Sequence, residues 1–344
     1  NRTFLASLNS GLQTIPRVSH ARVTMDGASI ATMGGPGTVL QVSQDAVDEF
    51  QIATVNLDVA TGLTTTGAAN IVTRAGGNQL HGTGFAFYRD DALAAYPGAV
   101  KDPANPDPSF RRVQAGFSLG GPIRADRAFV FGSYERTDQD GVVAVRPTAP
   151  EFKGLGGIFP SHLSGNLLTI RVDAQAHRRH HLMVRHSHDD NASFAPLGNN
   201  TTLLPSAWSR ITNRVDQTLG AVTSSVSNRA VNDVRFSALW MDTPESAARP
   251  EDCAGCFGLD SPRTMVQGAG LTFGQSRAGR QKGWRAQLSD DLSWAGGRHQ
   301  LRLGVNWEHV SYVTTVIDRD VQQLVLWSPL QARLNPSISL PTSF

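Results

Sequence analysis

Two neighbouring stretches late in the sequence alternate apolar and polar residues for far longer than an ordinary strand. In "GWRAQLSDDLSWAG", Trp284, Ala286, Leu288, Leu292 and Trp294 share one parity, interrupted by Asp290, and Arg285, Gln287, Ser289, Asp291 and Ser293 share the other. In "RHQLRLGVNWEHVSYV", Leu301, Leu303, Val305 and Trp307 alternate with Arg302, Gly304, Asn306 and Glu308. A period of two specifies extended chain with its two faces in different surroundings. Strands of soluble sandwiches run about five or six residues, whereas these run to ten or more. Tryptophan at both ends of an apolar stripe is what a strand needs to cross a bilayer with an aromatic ring at each interface.

The same texture begins near residue 79. "GTGFAFYR", "VQAGFSLGGPI", "RAFVFGSYER", "NLLTIRVDAQAH", "HHLMVRHSHDD", "NRVDQTLGAVTSSVSN" and "AVNDVRFSALWMD" precede the two stretches above. Tight turns, such as Ala295-Gly296-Gly297, alternate with long connections at 90–110, 138–164, 189–210 and 243–280. Short turns on one rim and long loops on the other mark a membrane barrel. The expected fold is mostly β: a transmembrane antiparallel β-barrel of about nine or ten strands, still running at "SLPTSF" and therefore partial. The 33 Gly, 18 Pro and low charge, with a net charge of +2, suit a turn-rich β protein and give no bulk electrostatic case for nucleic acid. No signal peptide opens the chain and no apolar run of 18 residues exists, but a barrel never produces such a run.

Residues 1–77 read differently, as a small α+β unit. "RTFLASL" is a short helical candidate, "ARVTMDG" a strand ending in an Asp26-Gly27 turn, and "SQDAVDEFQI" a helix start capped by Ser43 that runs into extended chain. The passage "GAANIVTRAGGNQLHGTGFAFY" (67–88) crosses from one unit to the other. Ala68 to Val72 lack alternation, as in a strand covered on both faces. After the Gly76-Gly77 break the chain alternates, with Thr83, Phe85 and Phe87 expected to face lipid and Gly82 and Gly84 to face inward.

Three ordered blocks, "QVSQDAVDEFQIATVN" (41–56), "GAANIVTRAGGNQLHGTGFAFYRDDAL" (67–93) and "SLGGPIRADRAFVFGSYE" (118–135), resemble TonB-dependent outer-membrane receptors. More narrowly they resemble the Oar-like branch, whose members commonly carry a carboxypeptidase-regulatory-like domain. The resemblance implies a plug folded inside a 22-stranded barrel and energised by the TonB-ExbB-ExbD complex. On that mapping residues 1–77 are the C-terminal part of the plug and 78–344 the N-terminal part of the barrel. Gly76, Gly77 and Asn78 are then the plug–barrel hinge, and the chain is a fragment. One departure stands out: the acidic-aromatic-Gly-Arg run usual before the last plug strand is replaced by "VATGLTTTGAA". That puts a charge-mediated plug–barrel contact at that point in doubt.

Candidate sites are few. The loop "MGGPG" lacks the Gly-Lys-Ser/Thr of a phosphate cradle and Pro36 removes a donor, so a plug loop is the better reading. As an apical loop it would offer Met33, Gly34, Gly35 and Gly37 to an extracellular ligand. Arg171, Arg185, Arg285 and Arg302 fall singly on polar faces and are expected to point into the lumen. His177, His180, His181, His186 and His188 lie at a turn and on one strand face, without an identifiable supporting carboxylate beyond Asp189 and Asp190, so no metal is assigned. Cys253 and Cys256 in "EDCAGCFG" are a candidate local disulfide, since no second pair completes a zinc site. No nucleophile–base signature is present, so the chain is read as a non-enzyme without cofactor.

The expected function is uptake, or export, of a large solute such as a siderophore, oligosaccharide or peptide through a plugged barrel. Its setting is the outer membrane of a Gram-negative-type bacterium, with lipid, an extracellular solute and the energy-coupling complex as partners and no nucleic acid. A passive porin-like channel or a cell-surface β adhesin is the alternative; the mixed segment 1–77 argues against the first and the lipid-facing stripe against the second.

Overall fold

The computed structural model describes residues 22–33, 37–53, 68–93, 95, 109–196, 202–267, 269–275, 278–317 and 323–326. The helical candidate "RTFLASL" lies outside these residues. Strands dominate. β1 (Arg22–Met25), β2 (Ala28–Ser29), β3 (Val47–Ala53) and β4 (Ala68–Thr73) form a small mixed sheet in the order β2-β1-β4-β3. The large sheet is built from β5 (His81–Asp90), β6 (Arg111–Arg124), β7 (Ala128–Val145), β8 (Gly157–His177), β9 (His180–Ala195), β10 (Ser209–Ser227), β11 (Ala230–Ala247), β14 (Ala278–Gly296) and β15 (His299–Ile317). Each of these nine pairs antiparallel with its neighbours in that order. β12 (Thr264–Gln267), β13 (Leu271–Phe273) and β16 (Gln323–Leu326) form a third, short sheet.

Tight turns close the large sheet at one rim, where Asp126 (φ 61°) and Gly297 (φ 61°) take the left-handed conformation a two- or three-residue turn needs. At the other rim the strands run farther than the alternation suggested. β7 reaches Val145 and β8 starts at Gly157, so the long connection expected at 138–164 shrinks to residues 146–156. An antiparallel ladder satisfies its own backbone groups in water as well as in lipid, so a hairpin extends beyond the apolar band, where neither face carries a hydrophobic signal.

The large sheet is inside-out relative to a soluble protein. Phe117, Leu119, Val184, Phe236, Trp240, Trp284, Leu288, Trp294 and Trp307 lie exposed on one face. Ser133, Glu135, Thr169, Asp173, Arg185, Ser187, Asp189, Gln217, Arg285 and Gln287 lie buried on the other. Residues of β5, β7, β8, β9, β10, β11, β14 and β15 all reach the small sheet or the loops around it, so the polar face curls round it. Between them lies an apolar core of Met25, Ile30, Leu40, Val42, Ala46, Val47, Ala69 and Ile71, closed by Phe131, Val215, Leu239 and Met241 from the wall. A second core at the long-loop rim gathers Phe152, Phe194, Leu204, Trp208, Leu271 and Phe273.

Three local expectations need correction. Ser43 does cap a helix, accepting from the Asp45 amide, but it is a 3₁₀ turn of only Gln44–Ala46. β3 takes over at Val47, because pairing with β4 outweighs the helix start expected after Ser43. β4 is not covered by apolar residues on both faces. Ala69 and Ile71 enter the core while Asn70 and Val72 line a polar cavity. β5 presents the opposite face to the one expected. Thr83 Oγ1 donates to Asp45 Oδ2 (2.9 Å) and lies 2.8 Å from the buried Ser118 hydroxyl, so Thr83, Phe85 and Phe87 point inward. Phe85 sits opposite Gly116, where an added Cβ would lie 2.7 Å from the ring. A partner glycine makes room for an inward aromatic, and aromatic content alone could not reveal that.

Phe131 is 1% exposed and Phe117 55%. Phe131→Ala is expected to cost about 3–5 kcal/mol of folding stability, and Phe117→Ala far less in detergent. Urea unfolding of the complete, detergent-folded protein checks the contrast.

Candidate functional site: the polar seam between inner sheet and wall

The site starts at a two-residue turn. Asp26 (φ 49°) and Gly27 (φ 85°) join β1 to β2 in the left-handed region, which Asp tolerates and Gly favours. The Arg235 guanidinium closes over Gly27, its Nη1 lying 2.3 Å from where a Cβ would stand. The turn aims the Asp26 carboxylate away from its own sheet edge and towards β4 and the wall.

Asp26 is nearly buried and accepts three hydrogen bonds. Thr73 supplies its amide (2.9 Å) and hydroxyl (2.7 Å), and Arg185 of β9 supplies Nη1 (2.8 Å). Arg185 is fully buried, and its Nη2 donates to Gln217 Oε1 at 2.6 Å. Arg171 Nη1 stands 3.8 Å from Asp26 and donates to the Thr73 carbonyl at 2.7 Å, while its other donors grip Asp173 bidentately. Arg235 Nη1 donates to the Asp26 carbonyl (3.2 Å). One inner-sheet carboxylate is thus met by two wall guanidiniums, with a third on its backbone.

The seam continues along the edge strand β2. Gln217 Nε2 donates to Ser29 O (3.0 Å), the Ser29 amide donates to Gln287 Oε1 (3.0 Å), and Arg285 Nη1 donates to Ser29 Oγ (3.1 Å) and Ala31 O (2.9 Å). Toward the long-loop rim, Ser43 Oγ donates to Glu135 (2.7 Å) and the Gln41 amide to Asp189 (3.0 Å). Ser29 would otherwise expose bare edge-strand backbone; amide and guanidinium side chains take the place of a further strand.

Two cavities flank the seam. One of about 540 Å³ lies between β1, β4 and the wall strands β11, β14 and β15, and is lined by Asn70, Arg171, Arg235, Asp233, Asp291 and Arg302 among others. A smaller one of about 210 Å³ is lined by Gln41, Arg112, Glu135, Gln139, Asp189 and Asn191. Both are walled by hydrogen-bonding groups rather than by aromatic rings.

The residues singled out from sequence fall as follows. Arg171, Arg185 and Arg285 meet in the seam, and Arg302 lines the larger cavity. Met33 packs into the wall, its sulfur lying 2.6 Å from where a Gly283 Cβ would stand, with Tyr312 alongside. Gly37 (φ 121°) accepts from the Thr32 amide (2.9 Å), while Gly34 and Gly35 lie outside the described residues. Gly76 passes tight against the wall backbone, where a Cβ would lie 2.3 Å from Val130 O; Gly77 has open space. Asn78 is fastened to the Asp126 turn by bonds of 2.6 and 2.8 Å.

His186 and His188 lie on the outer face around Asp216 (3.5 and 2.8 Å). Among the described residues, Asp138, Asp140 and His162 are the one group whose donor atoms converge as metal ligands would, but Arg111 and His162 already pair with Asp140. Cys253 and Cys256 occupy the ends of a turn in which the Cys256 amide donates to Cys253 O (3.1 Å) and Gly255 takes φ 73°. Sequence reasoning missed Asp26, Gln217, Glu135 and Gln287. The signal was present as polar residues on one strand parity, but a turn Asp looks the same whether it bonds its own turn or a wall.

An inside-out, sequentially paired strand wall with an inner sheet fastened to its polar face defines an outer-membrane barrel protein. The profile of the outer membrane β-barrel domain family matches residues 72–164 and 159–319, and the chain belongs to that family. Comparison with curated protein sequences finds no match. Among solved structures it is similar to the outer membrane transporter YddB from Escherichia coli (12% identity, TM-score 0.61, 86% of this chain and 41% of that one). It is also similar to the siderophore receptor PirA from Acinetobacter baumannii (13% identity, TM-score 0.55, 85% and 40%). The ferric citrate transporter FecA is a third (12% identity, TM-score 0.51, 89% and 50%). The chain spans half or less of the length of these proteins.

Asp26→Ala leaves the buried Arg185 guanidinium without its carboxylate, while Arg171 keeps Asp173, a loss expected to cost about 3–5 kcal/mol. Hydrogen exchange of the complete protein checks it: amides of β1 and β4, Thr73 first, exchange faster, while those of β10 and β11 hold.

Proposed function

We propose that this chain is part of a TonB-dependent outer-membrane transporter, with residues 1–77 the C-terminal part of the plug and residues 78–344 the N-terminal part of the barrel. The observation that carries this reading is the Asp26–Arg185 contact, which ties an inner sheet to the polar face of a membrane wall. A passive pore has no use for a separately folded sheet inside it, and an adhesin has no use for a polar seam there. The three ordered blocks support placement in the Oar-like branch. Similarity to transporters and siderophore receptors supports solute uptake as the activity, and the TonB-ExbB-ExbD complex is the energy source that such an architecture calls for.

In mechanism, the seam is a latch. A buried ion pair hydrogen-bonded from both sides of an interface, as Asp26 is by Thr73 and Arg185 is by Gln217, holds one geometry and is costly to separate. Work applied to the plug from the periplasm would break Asp26 from Arg171 and Arg185 and open a path along the larger cavity, whose polar lining suits a hydrated solute. At the opposite rim, the core around Trp208 packs the outer connections against one another. Cys253 and Cys256 are free thiols in the structure, and their C-x2-C spacing supports a disulfide forming between them in an oxidising compartment. Burial and the neighbouring Cys256 push the Cys253 thiol well above its ordinary range, so as a free thiol it would be a poor nucleophile.

Deletion of the complete gene, complemented by wild type or Asp26→Asn, tests the transport reading through energy-dependent uptake of a solute panel spanning ferric siderophores, oligosaccharides and peptides. Wild type is expected to restore uptake of one class only when TonB is present; restoration without TonB would contradict the proposal. For the cysteines, thiol labelling of protein taken from the outer membrane is expected to find none free at 253 and 256 before reduction and two after. Two free thiols without reduction would remove the assignment.

A further inference from the structure

Asp290 occupies a position where a lone carboxylate has no business. Its register places it opposite Val234 of β11 and Val305 of β15 on the outward, apolar face. Leu288 and Leu292 flank it on the same face of β14, and it is exposed. No side-chain hydrogen bond or ion pair joins it to another described residue, whereas its neighbour Asp291 faces the polar cavity.

Depth follows from the tryptophans. Trp284 and Trp294 share the face with Asp290, ten residues apart. At ~3.3 Å per residue and a ~40° tilt they span about 25 Å, the height of a barrel's apolar band. Asp290 lies four residues from Trp294, about 10 Å into that band by the same geometry. Its short side chain cannot snorkel to the interface as Lys or Arg would. Both neighbouring strands are present, so nothing of this sheet remains to cover it. At that depth lipid offers acyl chains and no hydrogen-bond donor or cation. A carboxyl there sheds its charge by taking up a proton or keeps it against a cation supplied by protein embedded in the same membrane.

We propose that Asp290 marks a lateral docking face, centred on β14 between Val234 and Val305, for a second membrane-embedded protein that presents a Lys, Arg or His side chain to the carboxylate. The flanking Leu288, Leu292 and Val305 supply the apolar contact, and Asp290 supplies the specificity, since a buried like charge or a missing cation is rejected strongly. The inference depends on the barrel's place in the membrane and not on what the barrel transports.

The test uses the complete protein at native level in its own outer membrane, with a photoreactive phenylalanine at Leu292. The expected result is one protein adduct in wild type and Asp290→Glu, reduced at least tenfold in Asp290→Asn and Asp290→Leu, with the cross-linked peptide carrying Lys, Arg or His. Heat-modifiable migration of each variant reports whether it has folded. Should Asp290→Leu fail to fold, the Glu–Asn comparison decides alone. Adducts with lipid or lipopolysaccharide only, or a protein adduct indifferent to the charge at 290, overturn the proposal.

Discussion

A carboxylate and a guanidinium removed from water stabilise a structure only when their remaining hydrogen-bonding capacity is met. Asp26 meets that condition across the boundary between two sheets, through the amide and hydroxyl of Thr73 and Nη1 of Arg185. Arg185 meets it in part, donating Nη2 to Gln217 and leaving its buried Nε without a partner among the described residues. Everything around the pair serves it. The Asp26-Gly27 turn must be left-handed to aim the carboxylate, a conformation Gly27 favours, and β4 must run beside β1 to bring Thr73 to both oxygens. The wall in turn must keep strict alternation over several strands so that Arg171, Arg185, Gln217 and Arg285 project to one side.

The outer face obeys a separate constraint. Backbone groups in lipid have no water to bond, so every interior strand of the wall pairs on both edges. Side chains there are chosen for apolarity and not for packing against one another. Consequently Trp240, Trp284 and Leu288 stay exposed while serines and glutamines are buried, the reverse of a soluble domain. Charge on the outer face therefore carries more information than charge on the inner one.

Much of this was legible in the sequence. The nine wall strands, their order, the Asp26-Gly27 turn and the change of texture before residue 79 follow from period and turn chemistry, because both are local. What was not legible depends on partners distant in sequence. The orientation of β5 turns on Gly116 lying opposite Phe85, and the fate of Val47 turns on its pairing with β4. The role of Asp26 turns on an arginine 159 positions away. The expectation that charge-mediated contact would be weakened at "VATGLTTTGAA" concerned residues outside the described part of that segment. The contact the structure does show sits instead at the β1–β2 turn, with the arginines on the wall.

If the latch organises the molecule, Asp26 and Arg185 must be energetically coupled and not merely adjacent. A double-mutant cycle on the complete folded protein, using Asp26→Ala, Arg185→Leu and the pair in equilibrium urea unfolding, measures this. The account predicts a coupling above about 1.5 kcal/mol, the range seen for close charge pairs across an interface. Additive effects within about 0.5 kcal/mol would contradict it.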